Sequence, residues 1–315
     1  MSEVIVEPLI GPYGLGEGPH WDDKSQKLYF VDIFAQKIFR FDPETHVLTS
    51  AYIENGPVGF VIPVEGCSNK LVAGCGTDFV LISWDGKKDL TKCTPKTLLS
   101  TDSSKTETRW NDGKVDSCGR LWGGTMGYIN DDGVFPPNVG SLYSIDNDLA
   151  MKKQVSPVTI SNGLAWSRNN DILYYIDSTT YQIVAYDFNS KTGAISSKRT
   201  IFDLRQSNVS GMPDGMTIDT DGNLWVAVYG GGGVLHINPN TGELLRFVKI
   251  NNAKNITSVT FGGPNLDILY VTSASQDVDK NQLNEQPHAG YTFAVKGLGV
   301  RGFPANSFKL PNKLT

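Results

Sequence analysis

Six times along the chain a short apolar run opens on a leucine, after a stretch that begins with a distinct anchor residue. The runs are Leu28-Tyr-Phe-Val-Asp, Leu71-Val-Ala-Gly, Leu121-Trp-Gly-Gly, Leu173-Tyr-Tyr-Ile-Asp, Leu224-Trp-Val-Ala and Leu269-Tyr-Val-Thr. Each follows its anchor (Glu17, Val58, Asn111, Asn162, Asp214 or Ser258) by 10 to 13 residues, and successive anchors are 41, 53, 51, 52 and 44 residues apart. Short runs of branched and aromatic residues, bounded by Gly, Asn, Asp and Ser, read as strands. A helical stripe sustained over three turns is absent. A period in this range, built of strands alone, predicts propeller blades. The expectation is an all-β, six-bladed β-propeller spanning residues 1–315 as one domain.

The fourth repeat illustrates the blade. Residues 162–167 form a first strand beginning at the axis, 173–178 a second and 183–188 a third, and 197–203 form the outer fourth. The stretch Asn189-Ser-Lys-Thr-Gly supplies the turn residues that a hairpin needs. Surplus residues fall at 101–108, 127–139 and 276–287, polar inserts suited to loops around an axial mouth. The N-terminal run Val4–Leu9 is expected to join the last blade and close the ring, removing exposed edges.

Composition narrows the function more than the fold. Glycine (33 residues) and aromatics (10%) suit many short strands and tight turns. A net charge of −5 argues against a nucleic-acid partner, and no apolar run reaches the length of a membrane span. The acidic start, Met1-Ser-Glu-Val-Ile-Val-Glu, is unlike a signal peptide. Cysteines 67, 75, 93 and 118 lack zinc spacing, so reduced thiols and a cytoplasmic setting are expected. Cys67 and Cys75 could pair if they lay on neighbouring strands. A monomer or weak dimer is expected.

In a propeller, equivalent positions of successive blades face one axis, so Glu17, Asn111, Asn162 and Asp214 should meet. Two carboxylates and two carboxamides make an oxygen-only donor set, which favours calcium, with magnesium and manganese next. Two acids held close together raise each other's pKa unless a cation neutralises them. A turn repeat alone would not select acid or amide over Ser or Thr. Other signals are weaker. Asp219-Thr-Asp-Gly-Asn starts like a calcium loop, but its glycine comes too early and Gly230 stands where a ligating Glu belongs, so it reads as a hairpin turn. The glycine run at 230–233 has no following helix to make a phosphate cradle, and no serine sits in a nucleophile elbow.

Taken together, Glu17-Gly-Pro-His-Trp, Arg109-Trp-Asn-Asp-Gly-Lys, Gly124-Thr-Met, Ile160-Ser-Asn-Gly-Leu, Pro213-Asp-Gly-Met, Phe261-Gly-Gly and Gly297-Leu-Gly-Val-Arg-Gly resemble the regucalcin (senescence marker protein), gluconolactonase and luciferin-regenerating enzyme family. The likeness runs from about residue 11 to about 303, with insect members of the luciferin-regenerating type closest in appearance. It implies a six-bladed propeller with one axial divalent metal, calcium first and zinc, manganese or magnesium as alternatives. Its metal ligands map onto Glu17, Asn162 and Asp214. Its substrate contacts map onto Arg109 and Asn111, and a mobile-loop lysine onto Lys152. One departure matters: where vertebrate members carry acids after Gly-Thr-Met-Ala, this chain has Tyr128 and Ile129, with Asp131 as a substitute only if the loop shifts. The implied activity is metal-dependent hydrolysis of a lactone or related small ester. Asp214 serves as general base and Arg109 stabilises charge or orients the substrate. A calcium-binding regulatory protein without turnover is the alternative, and a nitrile-type or organophosphate-like substrate is a third reading.

Overall fold

The leucine-opened runs become second strands because each is covered on both faces. In a computed structural model describing residues 3–101, 107–130 and 133–314, they form Lys27–Asp32, Lys70–Cys75, Leu121–Gly127, Ile172–Asp177, Leu224–Tyr229 and Ile268–Ser273. All six leucines are almost wholly buried. Six antiparallel sheets result, each beginning at the axis with an inner strand: Gly16–Asp22, Val58–Pro63, Thr108–Val115, Ser161–Trp166, Met212–Ile218 and Ile256–Gly262. Between each pair of neighbouring blades lies one apolar cluster, six in all, rather than one central core. Trp21 of blade 1 stacks on Tyr270 of blade 6, with ring centroids 5.3 Å apart, across the interface where the ring closes.

Closure follows the expected route. The N-terminal strand Ile5–Ile10 pairs antiparallel with Thr292–Lys296 and becomes the outer strand of blade 6. Two features lay beyond the pattern. Leu90–Cys93 leaves blade 2 and adds a parallel fifth strand to blade 1, so that blade is not four-stranded. It is tied there by Asp89, whose Oδ1 accepts from the Ser50 backbone N–H at 2.7 Å. The C-terminal segment after Lys296 runs beneath the propeller as a strap, bridging Gly302 to Asp219 of blade 5 and Phe308 to Val64 of blade 2. The 276–287 insert holds a short helix, Lys280–Glu285, with a capping box between Asp279 and Gln282.

Every inner strand slips register at its anchor: between Glu17 and His20, Val58 and Phe60, Trp110 and Gly113, Ser161 and Leu164, Pro213 and Met216, and Ile256 and Ser258. Such bulges break the in–out alternation and re-aim a side chain, commonly beside active sites. All four cysteines are free, which removes the Cys67–Cys75 pairing. No helix among the described residues is long and apolar enough to cross a membrane.

Candidate metal and substrate site

The slips in blades 1, 3, 4 and 5 turn Glu17, Asn111, Asn162 and Asp214 into one mouth cavity of about 300 Å³. The strands can converge because glycine follows most anchors. A Cβ on Gly59 would lie 2.4 Å from the Asn111 carbonyl oxygen, and one on Gly163 would lie 2.7 Å from that of Asp214. Asn111 Nδ2 donates to Asn162 Oδ1 at 3.1 Å and to the Ser161 carbonyl at 2.9 Å. Asn162 Nδ2 donates to Ser178 Oγ at 2.8 Å, which holds its amide oxygen towards the site. Arg109 Nη1 donates to Asn111 Oδ1 at 2.8 Å, so arginine and amide act as one unit. Blades 2 and 6 contribute no anchor here. Val58 packs in the apolar cluster between blades 1 and 2, and Ser258 faces the opposite end of the channel.

Glu17 and Asp214 are buried acids without adequate counter-charge. Burial, then the Asp112 carboxylate, pushes the Glu17 pKa up to about 8, against the Gly18 N–H bond and Arg109. Burial, then Glu17 and Asp112, lifts Asp214 well above the carboxylate range. Burial lowers Arg109 to about 10 despite Tyr128, Glu17 and Asp214. Asp214 Oδ1 is buried and has no hydrogen-bond partner among the described residues. Two mutually repelling acids, one with an orphaned oxygen, beside two carboxamide oxygens fit a hard divalent cation. Among the described residues no group of three or more His, Cys, Asp or Glu gathers at one point, so any cation held here relies on the amides as well.

The cavity walls are more apolar than its floor. Leu15, Met126, Tyr128, Ile160, Met212 and Tyr229 line it, with Ile129 and Phe34, which is 48% exposed, at the rim. The Phe34 ring centroid lies 5.3 Å from Arg109 Cζ, close enough for a cation–π contact. Tyr128 and Ile129, which the motif comparison assigns to the substrate wall, both line this cavity. Lys152 does not. It lies on the outer strand Met151–Val158 of blade 3, not on a mobile loop, and its ammonium pairs with Asp146 at 3.4 Å in solvent. An outer-edge strand cannot reach the axis, so the expectation for Lys152 is withdrawn. Asp131 lies outside the described residues.

Two residues were missed. Asp112 occupies the position that is glycine after the anchors Glu17, Val58, Asn162 and Asp214, and its charge acts on both Glu17 and Asp214. That break in the repeat was a readable signal. Phe34 sits in the turn after the second strand of blade 1, and nothing local marks it as axial.

Comparison with known proteins bears directly on this arrangement. The family model described as SMP-30/Gluconolactonase/LRE-like region matches residues 15–275, which contain all four axial anchors. The chain belongs to this family. Regucalcin of Xenopus laevis is 39% identical over 309 residues, covering 98% of this chain and 99% of that one. Human regucalcin is 40% identical with the same coverage. A luciferin-regenerating enzyme structure matches with TM-score 0.90 at 37% identity, over 98% of this chain and 100% of its own. The calcium-binding protein regucalcin of Agrobacterium tumefaciens shares the fold at TM-score 0.86 and 22% identity, covering 97% and 98%. The SMP-30/gluconolactonase family thus accounts for the propeller.

Proposed function

We propose that this family member is a divalent-metal-dependent hydrolase of lactones or related small esters, with Glu17, Asn162 and Asp214 as metal ligands. The observation that carries the reading is the pair of buried, uncompensated acids, Glu17 and Asp214, converging from two blades at the floor of an open cavity. A regulatory store of calcium would need no substrate-sized mouth beside them. Calcium is the first choice of metal, with zinc, manganese and magnesium as alternatives. A bound cation would supply Lewis-acid polarisation of the substrate carbonyl.

The chain's own residues do the rest. Asp214, buried at the floor of the cavity, takes the proton of the attacking water. Arg109, fixed by Asn111 and faced by Phe34, holds substrate oxygen and offsets negative charge as the carbonyl is attacked. Asn111 keeps one amide aligned with Asn162, preserving the geometry of the floor. Tyr128 and Ile129 present apolar surface rather than acceptors for sugar hydroxyls, so the preferred substrate is an aryl- or alkyl-substituted lactone or ester. The free thiols accord with a cytoplasmic setting.

A turnover assay on a lactone panel, in EDTA and with each of calcium, zinc, manganese and magnesium, tests the reading. Metal-restored hydrolysis abolished by Asp214→Asn is expected. Calcium binding without turnover of any lactone or ester would support the regulatory alternative instead.

A further inference from the structure

The blades bring a second set of residues back to the mouth. Each second strand runs antiparallel to its inner strand, so it ends beside the residues that precede the anchor: Asp32 pairs with Gly16, Gly127 with Thr108 and Tyr229 with Met212. Residues at or just past these ends form a tier nearer solvent than the anchors. Phe34, Tyr128, Ser178 and Tyr229 occupy it in blades 1, 3, 4 and 5, and all four line the mouth cavity. Exposure follows the same order, since the four anchors are buried, Tyr128 and Tyr229 are half-buried and Phe34 is exposed.

Three of the four are aromatic, and they come from alternate blades, 1, 3 and 5. Interblade packing does not account for two of them, because neither Phe34 nor Tyr128 belongs to any of the six apolar clusters. What these two share is Arg109: the Phe34 ring centroid lies 5.3 Å from its Cζ, and Tyr128 sits within range of its charge. Tyr229 reaches from blade 5 to the cluster that holds Leu15 and Ile33, the residue before Phe34. A ring entering this collar meets aromatic edges and faces from several sides, with a guanidinium beside them. Such neighbours favour an aromatic ring over a saturated one that buries the same area.

We propose that this collar is an aryl subsite: the substrate carries a planar aromatic ring fused to, or attached next to, its reacting lactone or ester carbonyl, and Phe34 sets the preference for an aromatic over a saturated ring. The ring belongs next to the carbonyl because the collar stands directly over the floor where the carbonyl is attacked. This subsite rests on the hydrolytic reading of the floor, yet its preference for the ring shows in binding alone.

Calorimetry on the full chain in calcium, with two lactams that resist hydrolysis, tests it: 3,4-dihydroquinolin-2-one and its counterpart with the carbocycle saturated. The aryl lactam should bind at least about fivefold more tightly. Phe34→Leu keeps apolar bulk but loses the ring, and should bring that ratio below about twofold. Val134→Ser, exposed on the same rim but outside the cavity lining, should leave the ratio as it is. Among substrates, kcat/KM for dihydrocoumarin relative to δ-valerolactone should fall about fivefold in Phe34→Leu. An aryl preference that depends on Phe34, without turnover of any lactone or ester, would uphold the collar and overturn the hydrolytic reading. Turnover accompanied by equal affinity for the two lactams, a preference that survives Phe34→Leu, or no binding of the aryl lactam at millimolar concentration would each overturn the collar.

Discussion

Replacing Glu17 by glutamine should make the metal-free protein more stable while destroying its affinity for divalent ions. A carboxyl whose folded pKa exceeds its unfolded value favours the fold when protonated. That contribution is whole below the unfolded value of 4.5 and drains away as pH rises towards the folded value of about 8. From these two values, ionisation of Glu17 costs about 3 kcal/mol of stability at pH 7 and about 1 kcal/mol at pH 5. Glutamine cannot ionise and escapes the cost. With an unfolding entropy of roughly 2 cal/mol/K per residue over 315 residues, the pH 7 difference corresponds to about 5 °C in Tm. Thermal unfolding of both proteins in EDTA, from pH 5 to pH 8, is the assay. With calcium added at about a hundred times its Kd, the native protein should gain about 2.7 kcal/mol and Glu17→Gln much less, narrowing or inverting the order. A variant less stable than the native protein at pH 7 in EDTA, or a difference independent of pH, would refute the account of an uncompensated axial acid.

Three further outcomes follow from particular contacts. Asp219→Ala strips the acceptor from the buried Trp225 Nε1 and His236 Nε2, at 2.9 and 3.0 Å, and from two turn amides. It should cost about 2–5 kcal/mol by denaturant unfolding yet leave calcium affinity by calorimetry unchanged. Ile129→Glu places an acceptor at the mouth rim and should shift the kcat/KM ratio towards polyhydroxylated lactones by about tenfold, measured on gluconolactone against an aryl lactone. Lys152→Ala breaks only an exposed pair and should change neither kcat nor KM by more than about twofold, with stability lowered by under about 1 kcal/mol.

The ring and the convergence of four axial anchors were legible because both repeat. Each blade buries its second strand between neighbours, so the leucine recurs. Each inner strand starts at the axis, so the anchors recur in step with it. What escaped was non-local or singular. The fifth strand of blade 1 is four residues long and half exposed, and it exists only because Asp89 and Gly86 meet blade 1. The strap is held by contacts with blades distant in sequence. Phe34 is an aromatic in a turn, and its relation to Arg109 appears only once blades 1 and 3 are placed around the axis. Lys152 was misplaced because motif likeness carries no statement of which strand of a blade a residue occupies. Asp112 could have been found, since it interrupts the glycine that otherwise follows the anchor.

The six register slips have an evolutionary consequence. In a regular strand, exchanging an inward residue disturbs its cross-strand partners, so chemistry and packing are inherited together. At a bulge the extra residue has no such partner, and its identity is released from the folding problem. This chain already displays that freedom, carrying Glu, Val, Asn, Asn, Asp and Ser at or beside the same slip in its six blades, with the blades themselves intact. A lineage built this way can exchange one axial ligand or substrate contact at a time without first inventing a stabilising compensation. Diversification by point mutation at the hub, with the rim conserved by packing, is the history such a scaffold permits.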